Sequence, residues 1–108
     1  MDIVIKKVNK NKVRNESVGD YKRKNGRLEI LVAKSKDPVF DMGVAIHELV
    51  ESVLALKRGI SFGKIDKFDR KNVEKKGEPG EMKGSPYFKE HAVANKIENI
   101  LVKELKKK

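Results

Sequence analysis

Between residues 27 and 32 the chain places Leu28, Ile30 and Val32 at every second position, the period of a strand with one buried face. Asn25-Gly26 precedes them, and both residues accept the positive φ angles of a tight type I′ turn. Residues 20–32 therefore predict a β-hairpin. Residues 2–8 predict a further short strand, and the polar stretch 9–18 a loop. The sheet expected from these pieces is small and antiparallel.

The period changes after Asp37-Pro38. Asp37 can cap a helix, and proline suits the first helical position. From 39 to 57 the apolar residues Ile46, Leu49, Val50, Val53 and Leu54 keep helical spacing. Arg58-Gly59 ends the run with a basic last turn and a glycine. A short helix is expected from Ser61, carrying Ile65, Asp66, Phe68 and Asp69. Residues 71–85 hold three Gly, one Pro and many charges, which predicts a long loop. Pro86 opens a last helix, running through His91, Ile97 and Leu101 to about Leu105. With Tyr87 and Phe88 read as core or helix-entry packing, the expectation is a single α+β domain. Its parts are strands and hairpin (1–36), a long helix (37–59), a short helix and loop (60–85) and a C-terminal helix (86–108).

Composition narrows the chemistry. At 108 residues there is room for one core, and 39% of the chain is charged. The absence of Cys excludes disulfides and thiolate metal sites, so any metal must rest on His, Asp, Glu, carbonyls or water. No apolar run approaches the ~20 residues of a membrane span, nor does the N-terminus resemble a signal peptide, so a cytoplasmic protein without membrane contact is expected. The net charge is +10, but it is uneven: residues 1–36 carry a surplus of seven positive charges, 59–108 a surplus of five, and 37–58 a deficit of two. The one acidic island contains His47-Glu48-Leu49-Val50-Glu51. A basic surface suits nucleic acid, with Lys22, Arg23, Lys24 and Arg27 clustered at the hairpin tip, although a lysine-rich solvated surface accounts for the same charge.

Only two histidines occur, His47 and His91, and each lies in an expected helix with a carboxylate at helical spacing. His47 and Glu51 are four apart; His91 and Glu98 are seven apart, with Ala94 between. The face His91, Ala94, Glu98, Leu101, Leu105 is half apolar and should pack inward. Burying His and Glu is costly unless they are paired or ligate an ion. Two helices bringing these faces together would offer imidazoles and carboxylates to a divalent metal, with zinc ahead of iron and manganese. Taken singly, His47 can satisfy itself at a core edge, His91 can bond a carbonyl, and Glu51 can pair with Arg58 or Lys57.

The segments Gly19-Asp20-Tyr21, Arg27-Leu28-Glu29-Ile30 and Ala45-Ile46-His47-Glu48-Leu49-Val50-Glu51 resemble the minimal zincin core over residues 19–58. In that superfamily an edge strand precedes an active-site helix bearing His-Glu-x-x-His. The resemblance implies His47 and Glu51 as helix ligands, with Glu51 standing where zincins have a second His. It also implies His91 as the downstream ligand, and Glu48 as the general base of a metal-dependent hydrolase acting on a peptide or other amide. Asp66, Asp69, Glu78, Glu81 and Glu98 remain reserve ligands, and Asp69 can instead cap or pair with Arg70. Over nearly its whole length, including Glu78-Pro79-Gly80-Glu81 and Pro86-Tyr87-Phe88-Lys89-Glu90-His91, the chain also resembles short phage and prophage proteins, a likeness that implies no activity. The hydrolase expectation includes a substrate groove bordered by the strand at 27–32. The alternatives are a metal-stabilised, non-enzymatic module binding nucleic acid or a protein, and a metal-free domain with structural histidines.

Overall fold

The computed structural model describes residues 1–72 and 77–108. Strands β1 (Ile3–Val8), β2 (Gly19–Lys24) and β3 (Arg27–Ala33) precede helices α1 (Pro38–Lys57), α2 (Phe62–Lys71) and α3 (Phe88–Leu105). The α+β class is as expected. Of the expected loop, residues 73–76 lie outside the described residues, and Pro79–Glu81 forms a 3-10 turn.

β2 and β3 pair antiparallel with Lys24 opposite Arg27. Asn25 (φ 50°) and Gly26 (φ 75°) join them with two consecutive positive φ angles, the signature of the I′ turn. One pairing departs from the antiparallel expectation. β1 runs parallel to β3, with Ile3 opposite Leu28 and Val8 opposite Ala33, so the strand order is β1-β3-β2. A parallel neighbour needs a long crossover. The segment between β1 and β2 begins that crossover and anchors itself through Val13, which is buried. Its polarity hides this role in the sequence.

β3 is thus the central strand. Leu28, Ile30 and Val32 pack with Tyr21, Val44, Ala55, Ile65 and Tyr87 into the core between sheet and helices. α1 begins as its sequence foretells: Asp37 Oδ1 accepts from the backbone N–H of Val39 and Phe40, each at 3.1 Å. Its end is a glycine, Gly59, at φ 72°. The side chain of Ser61 caps α2 by accepting from Lys64 N–H at 3.1 Å.

α1 packs mainly on α3, and Gly43 sets how close they come: a Cβ there would lie 2.8 Å from Val102 Cγ2. α3 starts two residues later than Pro86, with buried Tyr87 at its N-cap position. Phe88 departs from its expected packing role. As the first helical residue it points off the core and is 51% exposed. The inward face of α3 holds at His91 and Ala94, loosens at Glu98 and Leu101, and is lost at exposed Leu105. No helix among the described residues is long and apolar enough to cross a membrane.

Candidate metal centre

Residues four apart on a helix share a side, so α1 presents His47 and Glu51 together. α3 brings His91 to the same point from across the helix pair. Glu51 Oε2 lies 3.1 Å from His47 Nε2 and 2.8 Å from His91 Nδ1. Its other oxygen accepts from Tyr21 Oη at 2.8 Å. The two imidazoles meet edge to face, with centroids 4.8 Å apart. All three residues are buried.

The outer nitrogen of each ring also has a carboxylate. His47 Nδ1 is 2.8 Å from Glu98 Oε1, and His91 Nε2 is 2.8 Å from Glu78 Oε2. Glu81 Oε1 stands further off, 3.9 Å from the same His91 nitrogen. Gly80 explains how the Pro79–Glu81 turn gets so close: its Cβ, if it had one, would sit 2.5 Å from His91 Cγ. Backbone lies directly against the imidazole.

Donor atoms of His47, Glu51 and His91 all fall within 4.8 Å of one another, as a metal requires. Ligands at zinc distances in a tetrahedron are about 3.4 Å apart. The separations of 2.8 and 3.1 Å here are a few tenths shorter, as expected of groups now joined by hydrogen bonds. Two histidines and one carboxylate also match a known catalytic zinc set, which leaves a fourth position for water or substrate. The residues fit a divalent ion.

A cavity of about 410 Å³ opens beside these donors. Glu48 lines it with His47, Glu51 and His91, and so do Val18, Gly19 and Tyr87. Residues 27–32 do not. The groove expected along that strand is therefore corrected: β3 is hydrogen-bonded on both sides, and the bordering backbone is the start of β2, an edge strand.

The charges in the site are strongly perturbed. Burial by itself would raise Glu51, but hydrogen bonds from His47 and His91, helped by Tyr21, outweigh it and hold its pKa at about 2. Burial likewise opposes charge on His91, yet its bonds to Glu51 and Glu78 push it up to about 10. His47 moves upward by the same balance, with Glu51 and then Glu48 prevailing over burial. Glu48 goes the other way for an acid. Burial, then the negative charge of Glu51, raises it to about 8. One carboxyl is thus kept ionised and its neighbour one turn away is poised to exchange a proton near neutrality.

The remaining sequence candidates fall elsewhere. Glu98 and Glu78 touch the outer ring nitrogens. Asp69 reaches the cavity wall, where it accepts from Tyr87 Oη at 2.5 Å and pairs with Arg14 at 3.2 Å. Arg14 also binds Asp20 at 3.1 Å and Asp66 at 2.9 Å. Arg70 pairs with Asp66, so Asp69 is not its partner. Nor does Arg58 serve Glu51: it donates to Glu90 at 2.5 Å. At the hairpin, Lys22 and Arg27 turn toward buried Glu29, at 3.9 and 2.7 Å, with Lys6 at 3.6 Å.

Sequence reasoning missed Arg14 and the contacts made by Tyr21 and Gly19, and it read Gly80 chiefly as part of an ordinary turn that could line a site. A signal existed for Tyr21: it sits opposite Ile30 on the core face, and a buried phenol needs a hydrogen-bond partner. Arg14 gave none, because it lies in a segment without periodicity.

No family model, curated protein or solved structure matches this chain.

Proposed function

We propose that the chain is a zincin-like, zinc-binding hydrolase that cleaves a peptide or another amide. His47 Nε2, Glu51 and His91 Nδ1 are its ligands, and Glu48 is its general base. The observation that carries the reading is the convergence of both histidines of the chain on one oxygen of Glu51, at the wall of a cavity that also holds Glu48.

When bound, a divalent ion supplies Lewis-acid polarisation and lowers the pKa of water toward neutrality. The rest belongs to the chain. Glu51 and the rings hold the charge, Tyr21 fixes the free oxygen of Glu51, and Glu48 takes and returns a proton at its carboxylate. Replacing a zincin histidine by Glu51 does not remove the basis for hydrolysis, since His91 restores a two-histidine, one-carboxylate set.

Elemental analysis of the chain purified without added metal, followed by zinc titration, tests the metal. About one equivalent bound is expected in wild type, and far weaker binding in Glu51→Gln. Glu48→Gln tests the base: turnover of a quenched-fluorescent peptide library should disappear with zinc content unchanged. Metal loss in that variant would contradict the assignment.

A second reading, a metal-stapled module that binds nucleic acid, draws on the three cations around Glu29. Lys6, Lys22 and Arg27 are all well exposed, whereas Glu29 is almost wholly covered. DNA binding through this face should weaken steeply with added salt.

A further inference from the structure

Both rings at the centre carry a carboxylate on each nitrogen, and the pattern is the same for both. The inner nitrogens share Glu51 Oε2. The outer ones have private partners, Glu98 for His47 and Glu78 for His91, each at 2.8 Å. A neutral imidazole has one N–H and one lone pair, and the partner of one nitrogen dictates the role of the other.

We propose that Glu98 and Glu78 are positioning residues that hold the outer ring protons and so assign opposite nitrogens as ligands, Nε2 of His47 and Nδ1 of His91. This inference rests on the zinc reading above. Glu98 and Glu78 do not themselves ligate: each lies across a ring from Glu51.

The two clamps reach the centre by different routes. Glu98 is on α3 two turns after His91, yet it serves the histidine of α1. One helix thus supplies a ligand and also orients the ligand opposite. Glu78 comes from the connection before α3, and the backbone of Gly80, pressed on the ring of His91, keeps that imidazole from turning over. Their strengths should differ. The Glu98 side chain is 27% exposed and the Glu78 side chain 60% exposed, so water competes more for Glu78.

His91 Nε2 also faces Glu78 and Glu81 in a grouping that could hold a cation. Ligating there while Nδ1 serves the inner site would require the ring to lose both protons. Two exposed carboxylates that can simply accept the Nε2 proton make that arrangement the less favourable one.

The test uses the uniformly ¹⁵N-labelled full chain, whose only two histidines give four ring nitrogens to assign. Two-bond ¹H–¹⁵N correlations with zinc should show His47 metal-bound at Nε2 and protonated at Nδ1. His91 should show the reverse. Zinc affinity, read by competition with a chromophoric chelator, should fall about 10–100-fold in Glu98→Ala and by less in Glu78→Ala. Glu98→Gln, which keeps a carbonyl acceptor, should recover part of the loss. Zinc bound through the other nitrogens would overturn the assignment, as would two equivalents per chain or affinity unmoved in both alanine variants. Those results leave the metal reading standing. A wild-type chain that takes up no zinc defeats that reading, and this one with it.

Discussion

Gly19, at the start of edge strand β2, lies directly against Glu48 of α1. A Cβ at Gly19 would come within 2.8 Å of Glu48 Cγ, 2.9 Å of its Oε1 and 2.6 Å of Val44 Cγ1. The strand edge and the proposed base are therefore in contact, and glycine is what permits it. Gly19→Ala must push Glu48 or Val44 aside. We expect a stability loss of about 1–3 kcal/mol by urea denaturation, the range for overpacking a filled site. Turnover should fall with it while zinc affinity changes little. A fully active, fully stable Gly19→Ala protein would show that this contact does not matter.

Arg14 holds three carboxylates, from Asp20, Asp66 and Asp69, with its own side chain only 26% exposed. Arg14→Met takes the cation away from buried Asp20 and from Asp69, while Asp66 keeps Arg70. Removing one partner of a buried ion pair costs about 3–5 kcal/mol, and partial exposure here should bring the loss nearer 2–3 kcal/mol. Raising the salt concentration should recover little of it. Thermal denaturation of the two proteins side by side reads the difference.

Without metal, stability should peak in mildly acidic solution. Glu51 at about 2 lies below the ordinary carboxylate value of about 4.3, so its contribution is complete above that value and disappears as pH falls toward 2. His91 is raised to about 10 from an ordinary value near 6.5, so its contribution is complete below about 6.5 and lost as pH rises through 10. Glu48, raised to about 8, has the same sign as His91: the fold favours its neutral form, and stability declines between about 4.3 and 8. If zinc binds as proposed it displaces protons from both rings, so the stabilisation it adds should grow with pH over that same interval. Denaturation curves at pH 4.5, 6 and 8, with and without zinc, test this. A metal-free protein most stable at pH 9 would contradict the charge balance described.

Asp37→Ala removes the side chain that accepts from two N–H groups at the start of α1. The expected cost is about 1 kcal/mol in chemical denaturation. The cap is far along the helix from His47, so zinc affinity should stay the same.

The local features were legible because their causes are local. Asn25-Gly26 and Asp37-Pro38 act within a few residues, and the turn and helix they announce are present. His47 with Glu51 could be paired for the same reason, four residues apart on one helix. What could not be read depends on contacts distant in sequence. Nothing near Glu98 says that it meets His47 across 51 residues, and nothing near Glu78 says that Gly80 will lay it against His91. The parallel placement of β1 was hidden likewise. Its alternation is compatible with either direction, and the choice is made by a polar crossover anchored by buried Val13.

The same division between near and far contacts should set the order in which the centre comes into being during folding. The His47–Glu51 pair needs only one turn of helix, and a nascent α1 can already display it. His91 must then arrive from 40 residues away and Glu98 from 51, once α3 has docked. An ion meeting the chain early would find two donors out of three and leave again. If the centre binds zinc as proposed, loading should be a late event whose rate follows the closing of α3 on α1 rather than the supply of zinc.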